Sequence, residues 1–213
     1  MSVSSQQSAV QGDRSIANVY EIPFELQAVG RSVSVAQPMC GGLCVPKGRL
    51  IDAGSARVQC DSQTLPAQVD VLSRWSDGSI RWLLASWIAP AEALGRSCVL
   101  RVYRDSIIDT GVSHVSLRRQ GQRFVLKRTH GSTHLEMTEF DVTPRVATHD
   151  GTLAEFDFGD VATEVSGPVR CVYVVQGCMR KDRHVGLQLR FEVWPAAGFV
   201  QVQTRLLNSR RAR

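Results

Sequence analysis

From residue 19 onward, apolar and polar residues alternate with a period of two, and Gly, Pro, Asp or Asn breaks the alternation every 8–12 residues or so. A strand points successive side chains to opposite faces, so this alternation describes ribbons with one apolar face. Frequent breaks leave no room for long elements, and the expectation is an all-β chain built as a sandwich or barrel. Helical periodicity is scarce. The one helix candidate, Pro90–Gly95, is too short to stand alone.

The clearest unit spans residues 65–88. One strand runs from Leu65 to Trp75, Ser76-Asp77-Gly78-Ser79 turns the chain, and Ile80–Ile88 returns. Asp-Gly between apolar runs is a strong hairpin signal, because Gly takes a positive φ without steric cost. A two-residue Asp77-Gly78 loop would set Trp75 against Ile80, Ser73 against Trp82 and Val71 against Leu84. That register makes one face mostly apolar and places Trp75 and Trp82 in the core.

A second hairpin spans residues 185–207. Leu187, Leu189, Phe191 and Val193 alternate with polar residues. After Pro195-Ala196-Ala197-Gly198, Val200, Val202, Thr204 and Leu206 do the same. Shorter strands fit Val19–Gln27, Cys98–Arg104, Arg123–Thr129, His134–Phe140 and Val169–Gln176. A weak boundary near residues 105–112 divides the chain into a polar leader at 1–18, a first β domain at 19–108 and a second at 109–213.

Composition excludes several classes. The chain has 213 residues, 43% of them hydrophobic and 21% charged, which is ordinary for a protein with a packed core. The net charge of +5 comes with arginine far in excess of lysine. The basic residues are scattered among Asp and Glu, with one cluster at Arg210, Arg211 and Arg213, so nucleic acid is not the expected partner. A diffuse positive surface suits an acidic polysaccharide such as a pectin. The longest uncharged apolar stretch, Trp82 to Ala91, falls far short of the ~20 residues needed to span a bilayer, so no membrane contact is expected. Residues 1–15 lack the apolar segment of a signal peptide. Read literally, this places the protein in the cytoplasm, and a start codon further upstream would make it secreted.

The six cysteines are Cys40, Cys44, Cys60, Cys98, Cys171 and Cys178. In a reducing compartment they are expected to be thiols, with Cys98 and Cys171 acting as small core residues inside strand patterns. Cys40 and Cys44 form the one close pair, but no second pair completes a zinc site. Neither a metal nor a cofactor is expected.

Residues 46–89 resemble a known family. Val45-Pro46-Lys47-Gly48, then Leu65-Pro66-Ala67-Gln68-Val69, then Arg74-Trp75-Ser76-Asp77-Gly78-Ser79-Ile80-Arg81-Trp82-Leu83 is similar to the RIFT-barrel N-terminal domain of exo-rhamnogalacturonan lyase-like proteins, the polysaccharide lyase family twenty-six and its relatives. Glu164 through Arg170, with Gly167-Pro168 inside it, Arg190-Phe191-Glu192 and Leu207–Arg213 resemble the β-sandwich-like module that follows. The resemblance implies a RIFT-type barrel and a second β module. In relatives these precede a helical toroid holding the lyase chemistry. This chain stops at Arg213, so the resemblance implies a truncated, non-catalytic scaffold or carbohydrate-contact region whose C-terminal helical partner is missing.

The signature residues carry two readings each. Pro46, Gly48, Asp77, Gly78, Gly167 and Pro168 suit turns by geometry alone. Trp75 and Trp82 either stack on sugar rings or pack in the core. Arg81 and Arg170 either bind a uronate carboxylate or form strand-surface ion pairs, Arg81 with Asp77 for instance. Gln68 belongs to the signature without an assigned role.

Elimination from a uronate needs a base and a cation that neutralises the carboxylate. None of His114, His130, His134, His149 and His184 sits in a recognisable catalytic setting, and the His130/His134 spacing suits metal binding only on a helix. Asp157-Phe158-Gly159 mimics a kinase motif without the rest of that machinery. Paired carboxylates for glycoside chemistry are defined in space, so a small standalone carbohydrate-active enzyme is the alternative reading.

Overall fold

A computed structural model describes residues 19–27, 35–93, 95–104, 113–130 and 138–209. It is all-β, with two single-turn 3-10 segments in place of helices. None of its helices is long and apolar enough to cross a membrane. The expected helix at Pro90–Gly95 shrinks to a 3-10 turn at Ala91–Ala93. The leader, the 105–112 boundary, residues 131–134 of the His130/His134 motif and the Arg210–Arg213 cluster lie outside what is described. Chain contacts divide the protein into two units, Met1–Asp109 and Thr110–Arg213.

The first unit contains β1 (Val19–Glu25), β2 (Gln37–Cys44), β3 (Ser55–Cys60), β4 (Gln63–Arg74), β5 (Ile80–Ala89) and β6 (Ser97–Tyr103). They form one curled antiparallel sheet in the order β1-β6-β3-β4-β5-β2. Its concave core holds Phe24, Leu26, Val58, Leu83, Trp87, Leu100 and Val102. Phe24 and Trp87 meet with centroids 5.2 Å apart and planes tilted by 59°, a favourable aromatic geometry.

The β4–β5 hairpin forms where expected, but its register differs. The turn spans Ser76-Asp77-Gly78, closed by Trp75 N–H to the Ser79 carbonyl at 2.7 Å and Gly78 N–H to the Trp75 carbonyl at 3.0 Å. Gly78 has φ +85°. Two bulges follow. Pairing runs Arg74↔Ile80, Ser73↔Trp82 and then Val71↔Leu83, leaving Arg81 and Leu72 as the extra residues. Only the Ser73–Trp82 pair of the expected register survives. An extra residue breaks the two-residue alternation, so the side chains beyond it exchange faces. Ile80 is buried, but beyond the bulge Leu83, Ala85, Trp87 and Ala89 point inward, and Trp82 is 41% exposed. Trp82 is therefore not a core residue, and Trp87 takes that place.

The cysteine expectation also needs correction. Cys60 ends β3 and Cys98 lies at the start of β6, directly opposed in register, and the two form a disulfide. Cys171 is a buried thiol, and Cys40, Cys44 and Cys178 are also free. Sequence spacing could not show this, because the pairing depends on β6 lying beside β3. In the chain-entropy account, closing a separation of 38 residues contributes about 4 kcal/mol.

The second unit holds β7 (Ser113–Gln120), β8 (Arg123–His130), β9 (Thr138–Val142), β10 (Val146–Ala147), β11 (Leu153–Ala154), β12 (Phe156–Phe158), β13 (Ala162–Val165), β14 (Cys171–Met179), β15 (Val185–Trp194) and β16 (Phe199–Asn208). β7-β8-β9 form one sheet. The strands β12-β14-β15-β16, with β13 also on β14, form another. The two sheets share a core. Leu117, Phe124 and Leu126 from the first meet Phe158, Tyr173, Leu189 and Phe191 from the second. Phe124 contacts Phe158 edge-on at 5.1 Å and Phe191 at 5.6 Å. The Tyr173 hydroxyl donates across to the Val115 carbonyl at 2.7 Å, and burial pushes that phenol well above its ordinary pKa.

The β15–β16 hairpin turns through a 3-10 segment at Pro195–Ala197 and Gly198 at φ +61°, as its sequence implies. Leu187, Leu189, Phe191 and Val193 are buried. On the edge strand β16, Val200 and Val202 are half-buried, but Leu206 is exposed despite its place in the pattern.

Two outcomes test this architecture. Trp87→Ala should destabilise the protein by about 3–5 kcal/mol, the usual cost of deleting a buried ring, and Trp82→Ala by less than about 1 kcal/mol. Paired denaturant melts would show it, and a reversed order would contradict the bulged register. Gly177 lies under Phe158, where an added Cβ would meet ring atoms at 2.6 and 2.9 Å. Gly177→Ala should therefore cost roughly 1–3 kcal/mol as an overpacking change, and a melt equal to the parent would show that the ring has room to move.

Candidate functional site

The signature residues of the first unit other than Gln68 converge on one corner of the curled sheet. The chain leaves β2 through Val45 and Pro46, and Gly48 at φ +77° turns it. This loop docks against the β4–β5 turn through backbone and side-chain bonds. Val45 N–H donates to the Arg81 carbonyl at 2.9 Å, and Ile80 N–H to the Leu50 carbonyl at 2.7 Å. The Trp75 Nε1–H donates to the Val45 carbonyl at 2.9 Å.

Ser79 joins the two segments. Its side chain is 2% exposed as a residue, and its Oγ accepts from Gly48 N–H at 2.9 Å while donating to Asp77 Oδ1 at 2.6 Å. The same carboxylate oxygen accepts from Ser79 N–H at 3.0 Å. These bonds to Ser79, with Lys47 nearby, hold the Asp77 carboxyl below the usual carboxylate range. Asp77 is committed to the turn through its two bonds to Ser79. Arg74 closes the other side, its Nη1 donating to the Ile51 and Gly78 carbonyls at 2.7 and 2.8 Å.

On this frame the guanidinium of Arg81 stacks over the Trp75 ring, 4.8 Å from its centroid. The expected Arg81–Asp77 ion pair is replaced by this cation–π contact, because Asp77 turns back onto Ser79. Trp75 is half-buried with its N–H tied down and a ring face beside Arg81, so it is poorly placed to stack on a sugar. Trp82 remains, exposed beside Arg81 on the bulged stretch of β5. Val71 and Leu72, exposed at 40% and 57%, precede its cross-strand partner Ser73 on β4. The chemistry available is recognition: an aromatic face, an exposed guanidinium and an apolar margin on a stiffened hairpin.

The other signature residues lie elsewhere. Gln68 is buried on β4, its Nε2 3.4 Å from both Asp70 carboxylate oxygens. It pairs across the strands with Ser86, whose Oγ lies 3.4 Å from the Cys40 sulfur. Gly167, Pro168 and Arg170 belong to the second unit. The Gly167 carbonyl accepts from the Cys171 thiol at 3.3 Å. Arg170 is 5% exposed. Its Nε donates to Glu192 Oε1 at 2.6 Å, and its guanidinium sits 5.9 Å from the Trp194 ring centroid. It is neither a surface ion pair nor open to a ligand. The Asp157-Phe158-Gly159 motif is structural: Phe158 is core, and Asp157 pairs with Arg180 at 2.7 Å.

Among the described residues no group of three or more His, Cys, Asp or Glu is placed to hold a metal ion. Sequence reasoning missed Ser79 as the joint of the corner. The signal was present, since an Asp two residues before a Ser in a turn commonly accepts from its backbone N–H. The reach of Gly48 to Ser79, 31 residues apart, was not readable. No protein-family model matches the chain, and no curated protein matches its sequence.

The corner generates a pH prediction. The folded-state pKa of Asp77 lies below its unfolded value, so its stabilisation is fully present above the ordinary carboxylate range and is lost as pH falls through the lowered value. Asp77→Ala should lower the melting temperature at pH 7, and the gap should narrow in strong acid. A gap that does not change with pH would mean the carboxylate charge contributes nothing to the turn.

Proposed function

We propose that this chain is a non-catalytic β region of a rhamnogalacturonan (pectin) lyase-like polysaccharide-degrading protein, a RIFT-type barrel followed by a β-sandwich-like module. Its task is to contact an acidic pectic chain and to support a C-terminal helical domain that carries the chemistry. The observation that carries this reading is the exposed Trp82 next in the chain to the exposed Arg81, on a hairpin pinned by Asp77, Ser79 and Gly48. An aromatic face suits the C–H side of a pyranose, and a guanidinium suits a uronate carboxylate. A fixed frame lowers the ordering cost of binding. The sequence resemblance supplies the family, and the corner supplies a surface suited to its substrate.

Titration of the purified chain with rhamnogalacturonan fragments, followed by calorimetry, tests the reading. Trp82→Ala and Arg81→Ala should each weaken binding about tenfold or more while leaving the circular dichroism unchanged, since losing a stacked ring or a charge-assisted bond costs on the order of 1–3 kcal/mol. Variants that bind like the parent would remove the corner from the interaction. Absorbance from unsaturated uronate should stay at background. Steady product formation, lost on changing a single His, Lys, Tyr or Arg, would favour the standalone-enzyme alternative.

A further inference from the structure

The Cys60–Cys98 disulfide occupies a position with consequences for the whole first unit. Both residues are core residues, 4% and 1% exposed. Cys60 continues the inward series of Ala56 and Val58 on β3, and Cys98 begins the inward series of Leu100 and Val102 on β6. The strands meet in register at this pair. Just outside it, the exposed Arg96 and Asp61 lie 3.6 Å apart across the same strand ends. The span between the two cysteines contains all of β4 and β5 and the Trp75–Trp82 corner. Joining residues 60 and 98 therefore ties the base of that span into a covalent loop, on a sheet whose strand order leaves β1 and β2 at open edges.

We propose that this bond is a redox-dependent clasp: the first unit reaches its full stability only when Cys60 and Cys98 are joined, and the chain matures in an oxidising compartment. The chemistry is thiol–disulfide exchange with an external disulfide. One protein thiolate attacks the small disulfide and displaces one thiol, and the second thiolate attacks the mixed disulfide and displaces the other. Two protein thiols lose two electrons and two protons, and one external disulfide becomes two thiols. Disulfides of this structural kind persist where the surroundings are oxidising and are rare where thiols are kept reduced. Burial then protects the bond, because a reductant gains access to the sulfurs only when the β3–β6 pair opens. The four other cysteines stay thiols. This inference is independent of any glycan.

The experiment uses the full chain refolded with oxidised and reduced glutathione, alkylated without reduction and digested with trypsin. Cleavage at arginine isolates Cys60 in the peptide 58–74 and Cys98 in the peptide 97–101. The expected result is these two peptides linked, with alkylation confined to the other four cysteines. Alkylation of all six would overturn the proposal, and so would a linkage to any other cysteine. Thermal melts then compare the oxidised chain with the same chain reduced in denaturant, refolded under reductant and checked for six thiols. Reduction should lower the transition of the first unit by on the order of 15 °C, from the loop size and the usual slope for a domain of this length. A verified six-thiol chain that melts like the oxidised one would also overturn it. Both measurements use the native sequence, so neither depends on a cysteine variant folding.

Discussion

Which tryptophan of the first unit is core and which is exposed follows from two extra residues in one hairpin. Leu72 and Arg81 have no cross-strand partner of their own: each adds one residue to its strand and turns the side chains beyond it to the other face, while the register of β4 against β5 returns to that of Arg74 and Ile80. A sheet has only two faces, so a one-residue slip changes the face of every side chain beyond it. Without the bulges Trp82 would sit in the concave core and Trp87 would lie outside. With them Trp87 packs on Phe24, and Trp82 stands in solvent next to Arg81. The core and the candidate contact surface are thus two results of one geometric shift.

The bulges would leave a loose hairpin end if nothing held it, and the corner does so with short polar contacts. One carboxylate oxygen of Asp77 takes both the N–H and the hydroxyl of Ser79, and that hydroxyl takes Gly48 N–H in turn. The Trp75 indole and Arg74 guanidinium satisfy carbonyls of the facing loop. Turn chemistry that looks purely local in the chain is used here to join two segments about 30 residues apart. Stiffness matters for recognition because a displayed ring that is already ordered loses little freedom on contact.

The second unit shows how burial changes the meaning of a charged residue. Arg170 precedes a strand in a sequence context that suits a surface pair or a ligand carboxylate. The fold instead encloses it against Glu192 and Trp194. A buried ion pair is a poor source of net stability, yet removing one partner leaves the other charge stranded. The pair joins Arg170, just before β14, to Glu192 of β15, and its burial withdraws the guanidinium from surface chemistry.

By itself the sequence determined the class of fold, because alternation and turn residues act locally. The strands β4, β5, β14 and β15, the turns at Gly78 and Gly198, and the buried face of Leu187, Leu189, Phe191 and Val193 were legible from neighbours a few residues apart. It also marked Gly48, Asp77 and Gly78 of the corner through turn chemistry. Tertiary structure alone decided the bulges, and with them which tryptophan is core. It decided the join of Gly48 to Ser79, the enclosure of Arg170 and the pairing of Cys60 with Cys98. Each of these depends on which strand lies beside which, and local alternation reads the same in every register until the partner strand and the turn geometry are known.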